Sequence, residues 1–457
     1  MKIIILGAGQ VGKTVAEVMA NEDNDITVVD RQPDLLKELQ SKLDIRTVAG
    51  HASHPRVLDR AGIEDADLIF AVTNDDETNM IACQVAYSLY QTPTRLARVR
   101  AFEYSNHPTL FRPTAMPVDY LINPEQLVTR SMLRLIERPG AFEVLDFADG
   151  RAQLVGVKAQ PGAPLTGERL CQFPARIKRA SCRFVALYRD GQPITPDEHL
   201  RVESGDEVYF AAATRDAQTV LSALSPTDHP VRRIIIAGGG NLGLHLAELV
   251  EDRYYVRLIE RDAERCRHLA GTLRRTIVLN GDVTDSELLK AEGIGETDVF
   301  CSATHKDKTN IVSSILARQL GARTTLSIVN HAGFGPVSET SPNDIIISPA
   351  QATIGALLTH IRRGDVTTVY SLRRGTAEAM ELVVHGDRTT SSAVGRKIGD
   401  LPLDEGVAVC VILRQNQLLF PDPDTVIESL DRVVFFLPDK QFIANVELLF
   451  QVAITFV

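Results

Sequence analysis

Several features are missing from this 457-residue sequence, and each absence excludes a class of protein. The six cysteines are scattered and include no Cys-x-x-Cys pair, which argues against a zinc site and fits a reducing cytosol. No apolar run approaches the roughly 18 residues that a membrane-spanning helix needs. The apolar stretch before Gly7 is too short for a signal-peptide core. We therefore expect a cytoplasmic chain without a transmembrane segment.

An excess of positive charge is also absent. The chain has 49 Lys and Arg against 59 Asp and Glu, which gives a net charge of -10. Such a charge repels a phosphodiester backbone, so nucleic acid is not expected as a partner. Hydrophobic residues make up 44% and charged residues 24%, which is ordinary for a folded soluble protein. At about 150 residues per domain, the length excludes a single core.

An internal repeat spans the chain. The run Ile3–Gly12 is echoed by Ile234–Gly243 at an offset of 231 residues. Further matches at this offset include Gly50 with Gly281, Leu58 with Leu289, and Thr78-Asn79 with Thr309-Asn310. At an offset of 225, the matches are Asp119–Gln126 with Asp344–Gln351 and Asp206–Val208 with Asp431–Val433. The sequence is therefore a tandem duplication.

Each copy has a front part and a back part. In the front part, short apolar runs alternate with helical periodicity, as buried parallel strands in βαβ units require; the runs are Lys2–Leu6, Asp25–Val29, Arg46–Ala49 and Asp67–Val72. In the back part, Asp190-Gly191 indicates a hairpin, and Arg215–Leu224 indicates a closing helix. We predict an α/β protein with two Rossmann-like, doubly wound parallel-sheet domains, each followed by a small α+β domain. The expected domains are 1–123, 140–225, 231–348 and 366–452.

A glycine-rich motif, Gly7-x-Gly9-x-x-Gly12, follows the first predicted strand and opens a helix. In the dinucleotide fingerprint, the first glycine allows a tight turn, the second admits a pyrophosphate and the third lets helix and strand pack closely. Asp30 stands at the end of the second predicted strand, where a carboxylate accepts hydrogen bonds from a ribose. NAD is therefore favoured over NADP. NADP stays an alternative, because it carries a 2′-phosphate and Arg31, next to Asp30, is positively charged.

The same residues also match the P-loop pattern, because Lys13-Thr14 follows Gly12. The second copy argues against this interpretation. There Gly243 is followed by Leu244-His245, whereas the fingerprint glycines recur at Gly238, Gly240 and Gly243, with Glu260 in the acidic position. A P-loop ATPase using Lys13 and Thr14 remains the less favoured alternative.

An enzyme is not expected, because nearly every stretch belongs to one copy or the other and no separate catalytic domain is left. Polar loop residues that could supply acid or base chemistry are His51, His54, Asp75, Asp76 and Glu77. Their counterparts in the second copy are Asp282, Lys306, Asp307 and Lys308, so shared chemistry is not supported. We predict no catalytic residue and no metal site; an NAD-dependent oxidoreductase remains the alternative.

Six motifs carry a resemblance to a known family: Met1–Gly12, Gly50–Leu58, Asp76–Met80, Ala82–Tyr87, Asn123–Val128 and Ser371–Gly375. With them the chain resembles, over essentially its whole length, the tandem RCK (regulator of potassium conductance, or KTN) family of NAD-binding regulatory subunits of Trk potassium-uptake systems. The resemblance implies a peripheral protein on the cytoplasmic face of the inner membrane. It implies a homotetrameric ring docked on an integral membrane potassium-channel subunit of the TrkH or TrkG type.

The resemblance also implies two nucleotide sites that take NAD (NAD⁺ or NADH), with ATP or ADP competing for the same clefts. The implied cofactor-binding residues of the first copy are Gly7, Ala8, Gly9, Gln10, Val11, Gly12, Asp30, Thr73, Asn74 and Arg98. Those of the second copy are Gly238, Gly239, Gly240, Asn241, Leu242, Gly243, Glu260, Thr304 and His305. Where the family's second unit usually places arginine, this sequence has Val329-Asn330-His331, which weakens the expectation of tight phosphate binding there.

Overall fold

The computed structural model describes residues 1–20, 24–170, 173, 177, 180–195, 199–226, 230–330, 344–362 and 364–451. Its contacts group the chain into two compact units. Unit 1 comprises Met1–Val128 with Ser348–Leu357. Unit 2 comprises Thr129–Ile347 with Leu358–Val457.

Unit 1 contains a parallel sheet of six strands, β1 (Lys2–Leu6), β2 (Asp25–Asp30), β3 (Arg46–Ala49), β4 (Leu68–Ala71), β5 (Thr94–Arg98) and β6 (Tyr120–Ile122). The helices of this part of the chain are α1 (Gln10–Met19), α2 (Pro33–Gln40), α3 (Pro55–Ala61), α4 (Asp76–Tyr90), α5 (Phe102–Ser105) and α6 (Pro124–Glu137). The strand order is β3-β2-β1-β4-β5-β6, so the direction of winding reverses between β1 and β4. Ile3 to Leu6 are at most 2% exposed, as expected for a central parallel strand.

The first back module is an antiparallel sheet of five strands, β7 (Ala141–Phe147), β8 (Ala152–Lys158), β9 (Cys182–Arg189), β10 (Gln192–Ile194) and β11 (Glu207–Ala213), followed by α7 (Ala217–Leu224). The predicted hairpin joins β9 to β10. Asp190 and Gly191 both have positive φ, 51° and 79°, as a two-residue turn matching the strand twist requires.

The second copy repeats this plan within unit 2. Its parallel strands are β12 (Arg233–Ala237), β13 (Tyr255–Glu260), β14 (Ile277–Asn280), β15 (Val299–Ser302), β16 (Thr324–Ile328) and β17 (Asp344–Ile347), in the order β14-β13-β12-β15-β16-β17. The helices between them are α8 (Asn241–Val250), α9 (Ala263–Thr272), α10 (Ser286–Ala291) and α11 (Asp307–Gln319). The helix that follows β17, α12 (Pro349–Leu358), groups with unit 1 through Ser348–Leu357, which the sequence did not predict.

The second back module has strands β18 (Val366–Leu372), β19 (Ala377–Val383), β20 (Ala408–Arg414), β21 (Gln417–Leu419) and β22 (Arg432–Leu437), and helix α13 (Ile443–Phe450). Both back modules lie in unit 2 and share one apolar core. Tyr209 of the first packs on Phe436 of the second with ring centroids 5.5 Å apart. Arg432 bridges the modules through Asp149, with Nη1 and Oδ2 2.6 Å apart. The predicted duplicated α/β fold is confirmed.

Candidate functional site

The three fingerprint glycines of the first copy serve different purposes. Gly7 has φ 110°, and a Cβ there would lie 3.1 Å from the backbone of Val72 and Thr73. A Cβ on Gly12 would lie 1.8 Å from the carbonyl oxygen of Gly7, so α1 can approach β1 only if this residue is glycine. Around Gly9 nothing lies within 4 Å of a Cβ. The first and third glycines therefore build the loop, and the second faces open space.

The second copy reproduces this arrangement. Gly238 has φ 111°, and a Cβ on Gly243 would lie 1.9 Å from the carbonyl oxygen of Gly238. Nothing lies within 4 Å of a Cβ on Gly240. Both loops thus keep an open space beside the middle glycine, at the reversal between the first and fourth strands of each sheet.

Each loop leads directly into a helix whose N-terminus has no side-chain cap. Gly9 precedes α1 and Gly240 precedes α8, and neither helix has an acidic residue in its first turn. The first helical residues are Gln10 and Val11 in one copy and Asn241 and Leu242 in the other. Free N–H groups and the positive end of the helix dipole make such a position favourable for an anion.

The acidic residue at the end of the second strand organises each loop. Asp30 Oδ2 accepts a hydrogen bond from the Ala8 amide at 2.7 Å, and its Oδ1 accepts one from the Gln32 amide at 2.8 Å. Glu260 forms the same pair of bonds, at 2.8 Å with the Gly239 amide and at 2.9 Å with the Asp262 amide. Each carboxylate oxygen keeps a lone pair for a further donor, such as a ribose hydroxyl.

A buried asparagine joins the fourth and fifth strands in each copy. Asn79 is 0% exposed; its Oδ1 accepts from the Thr73 amide at 2.9 Å, and its Nδ2 donates to the Arg98 carbonyl at 2.9 Å. Asn310 bonds Thr304 and the Ile328 carbonyl at the same distances. Sequence reasoning missed this role, although both asparagines appear in the repeat at the offset of 231.

Arg98 ends β5, the strand next to β4 in the first parallel sheet. Its Nε is buried and has no hydrogen-bond partner. Burial, and then the nearby Arg100, lower the pKa of its guanidinium. The side chain of Asp76 is directed to the backbone instead, accepting from the amides of Arg100 at 2.8 Å and Ala101 at 2.9 Å. Arg98 therefore retains donors that this part of the protein does not satisfy.

The second cleft has no arginine at the corresponding position. Ile328 holds that position, because its carbonyl accepts the bond from Asn310 that the Arg98 carbonyl accepts from Asn79. Ile328 is 4% exposed, and the side chain of Asn330 donates to Asp307 Oδ1 at 3.0 Å. His331 lies outside the described residues. At the rims of the clefts, Asn74 and His305 are both exposed, and the guanidinium of Arg100 donates to the Asn74 carbonyl.

The polar loop residues considered for acid or base chemistry have structural partners. Asp75 caps α4 by accepting from the Thr78 amide at 2.8 Å, and Glu77 accepts from the Tyr104 hydroxyl at 2.7 Å. His51 stacks on His54 with ring centroids 4.5 Å apart. Burial, the charge of Arg31 and His54 lower the pKa of His51. These residues stabilise the loops around the first cleft.

The two P-loop residues are likewise engaged elsewhere. Lys13 Nζ pairs with Glu38 Oε1 on α2 at 2.8 Å, and the Thr14 hydroxyl donates to the Gln10 carbonyl within α1 at 2.8 Å. Hydrogen bonds from Lys13 and Lys42 lower the pKa of Glu38 to about 2. A P-loop requires the lysine and hydroxyl at the phosphates and magnesium, so this arrangement argues against an ATPase.

Two absences hold for the described part of the chain. Its side chains include no group of three or more His, Cys, Asp or Glu that could hold a metal ion. None of its helices combines the length and apolar character needed to cross a membrane.

Comparison with known proteins agrees with the duplicated architecture. The TrkA-N domain model matches residues 3–124 and 234–349, and the TrkA-C domain model matches residues 154–225 and 388–449. In fold, the chain is similar to a solved structure of the GsuK channel bound to NAD, with a TM-score of 0.61 and 18% identity. That match covers 97% of this chain and 79% of the other.

Two curated relatives match from end to end. The Trk system potassium uptake protein TrkA of Halomonas elongata is 50% identical over 456 residues, which is 100% of both chains. That of Vibrio alginolyticus is 49% identical over 452 residues, 99% of both chains. Both are named as potassium uptake proteins rather than as dehydrogenases or ATPases. The chain therefore belongs to the TrkA family of Trk system potassium uptake proteins, a family of regulatory subunits and not of enzymes.

Proposed function

We propose that this chain is a cytoplasmic, peripheral regulatory subunit that binds NAD(H) in its Rossmann-like domains and thereby gates a membrane channel subunit of the TrkH or TrkG type. The observation that carries the proposal is the unfilled space beside Gly9 and Gly240, each at an uncapped helix N-terminus within reach of a loop-organising carboxylate. Family membership supplies the link to potassium uptake.

The chemistry of the clefts favours a ribose-containing diphosphate. The uncapped N–H groups suit a pyrophosphate, and the free lone pairs of Asp30 and Glu260 suit unphosphorylated ribose hydroxyls. NAD⁺ and NADH meet both requirements. ADP and ATP share the same ribose and diphosphate, so they would compete with NAD for the clefts.

The two clefts should differ in affinity. In the first, Arg98 has a buried Nε without a partner, and a phosphate would satisfy guanidinium donors. In the second, Ile328 stands at the corresponding position and Asn330 is bonded to Asp307. The first cleft is therefore the tighter site.

Regulation would follow from a difference in nucleotide affinity between two shapes of the assembled subunit. A homotetrameric ring on the cytoplasmic face would transmit that difference to the channel. Typical allosteric coupling of about 1–3 kcal/mol corresponds to a change in affinity of about 5- to 150-fold. No chemistry on the nucleotide is needed for this role.

The proposal is tested with the purified chain and membrane subunit reconstituted in proteoliposomes. Calorimetric titrations with NADH, NAD⁺, ADP and ATP should show saturable binding, and these nucleotides should change the rubidium flux through the channel to different extents. The proposal fails if no nucleotide binds, or if bound nucleotide leaves the flux unchanged.

A further inference from the structure

The first back module contains a cavity far from the glycine loops in sequence. Its volume is about 300 Å³, and it is lined by residues of α7, β9 and β11. Phe420 and Pro421, from the second back module, complete the wall. Both modules lie in unit 2 and pack into one core, so the cavity belongs to a single packed body.

The wall of this cavity is mostly apolar. Val208, Phe210, Val220 and Leu224 line it and are each at most 3% exposed. Among the described residues that line the cavity, the only polar side chains are Cys182 and Arg183. A cavity with this wall would take an apolar body rather than a nucleobase, which needs several hydrogen-bond partners.

Arg183 is the one charged side chain among the described residues of that wall. It lies on β9 opposite Ala211 of β11. Its side chain makes no hydrogen bond or ion pair with the residues that the structure describes. Burial lowers the pKa of its guanidinium, but an arginine remains charged at neutral pH.

The acidic residue near Arg183 is committed to another partner. Asp422 affects Arg183 electrostatically without forming an ion pair with it. Its Oδ1 accepts from the Thr425 hydroxyl at 2.8 Å, and its amide donates to Thr425 Oγ1 at 3.0 Å. A partly buried guanidinium with unused donors costs free energy, which an anion entering the cavity would offset.

We propose that this cavity binds a small apolar carboxylate, of the class of medium-chain fatty acids, with its carboxylate on Arg183 and its chain against the apolar wall. A guanidinium pairs with a carboxylate in a bidentate manner, and its single positive charge balances the single negative charge of that group. The volume of about 300 Å³ is at the small end of ligand pockets, which suits such a molecule. The ligand would touch both back modules, because Phe420 and Pro421 form part of the wall.

Octanoate is the probe for a calorimetric titration of the full-length chain at neutral pH. Octan-1-ol has the same alkyl chain as octanoate but no charge. Acetate has the carboxylate but no long alkyl chain. Arg183→Gln removes the cation, and Arg183→Lys keeps it. Arg215→Gln is the matched control, because Arg215 is 83% exposed in the same module and does not line the cavity.

We expect saturable octanoate binding that Arg183→Gln weakens about tenfold or more, as loss of a charge-assisted pair requires. The Kd of Arg183→Lys for octanoate should lie within a few-fold of the wild-type value, and that of Arg215→Gln should equal it. Octan-1-ol and acetate should bind the wild-type protein more weakly than octanoate does. Octanoate should also raise the melting temperature of wild type. Absence of saturable octanoate binding, equal binding of octan-1-ol, or an unchanged Kd in Arg183→Gln would each overturn the proposal.

Discussion

The carboxylate of Glu260 accepts a hydrogen bond from the amide of Gly239, the same bond that the shorter Asp30 makes to Ala8. A Cβ on Gly239 would lie 3.1 Å from the Glu260 Cβ and 2.4 Å from the Leu269 Cδ1. The longer acid of the second copy is therefore paired with a glycine, and the shorter acid of the first with an alanine. The two copies reach one loop geometry with two side-chain combinations.

The open space at Gly9 allows the nucleotide site to be blocked without loss of folding. Its backbone is extended (φ -68°, ψ -174°), so other residues fit, and aspartate is a favourable helix N-cap. Gly9→Asp should leave the melting temperature unchanged or higher, while its charge repels the pyrophosphate and abolishes NADH binding at the first cleft. Gly9→Asn is the matched uncharged control and should retain more affinity. Calorimetry and thermal melts measure both effects.

Gly12→Ala provides the opposite case, because its Cβ would clash with the Gly7 carbonyl. It should destabilise unit 1 by about 1–3 kcal/mol or more. If Gly9→Asp were the less stable of the two variants, the assignment of the glycines would be wrong.

The buried Asn79 should matter for stability more than for direct contact with nucleotide. Asn79→Ala would leave the Thr73 amide and the Arg98 carbonyl without their partner. We expect a loss of about 1–3 kcal/mol in the free energy of unfolding. Asn310→Ala should cost a similar amount, since its bonds match. Denaturant unfolding with separate probes for the two units measures this; equal stability of variant and wild type would contradict it.

Strand runs and glycine spacing were sufficient to predict the fold. β1, Lys2–Leu6, has the predicted bounds, because a short apolar run before a glycine leaves the strand little freedom to shift. The offsets of 231 and 225 reappear in the structure, for example between β1 and β12 and between β11 and β22. The site residues themselves stay a prediction.

Contacts between residues that are distant in the chain could not be predicted from the sequence. An asparagine within a helix shows no pattern that indicates a bond to two strand ends, so the role of Asn79 was missed. The Nε of Arg98 is buried without a hydrogen-bond partner, which only the folded packing reveals. The grouping of α12 with unit 1 depends on contacts between residues more than 200 positions apart.

Arg98 should account for the difference in nucleotide affinity between the two clefts. Arg98→Gln removes a charge-assisted contact worth about 1.5–3 kcal/mol and should weaken NADH binding at the first cleft by about 10- to 100-fold. The two sites would then become similar in affinity. Arg112→Gln, at an exposed loop arginine, is the matched control. A titration in which Arg98→Gln keeps the tight site would refute the role given to Arg98.

A carboxyl group of the first back module, close to Arg373 of the second, should make the stability of unit 2 depend on pH. Burial raises the pKa of Glu143 from 4.5 to about 7, partly opposed by a hydrogen bond from the Tyr209 hydroxyl at 3.2 Å. Arg373, Glu207 and Arg134 also act on it. The folded chain therefore holds a proton that the unfolded chain releases. Its stabilising contribution is complete below pH 4.5 and is lost as pH rises through about 7.

Across this pH window, the free energy of unfolding of unit 2 should change by about 1–3 kcal/mol, and Glu143→Gln should reduce that change. Unfolding midpoints measured across this pH window provide the test. Glu103→Gln, at an exposed residue, should leave the slope unchanged. A slope that Glu143→Gln does not reduce would assign the pH dependence to other groups.

Nucleotide bound in the glycine-rich clefts should control potassium uptake. Rubidium uptake is measured in cells that lack this chain and every redundant potassium system but keep the membrane subunit. Return of the wild-type chain should restore uptake. Gly9→Asp, expressed at the same level and equally stable, should not restore nucleotide-dependent uptake. Full nucleotide-dependent uptake with Gly9→Asp, despite the loss of nucleotide binding at the first cleft, would show that this cleft does not control transport.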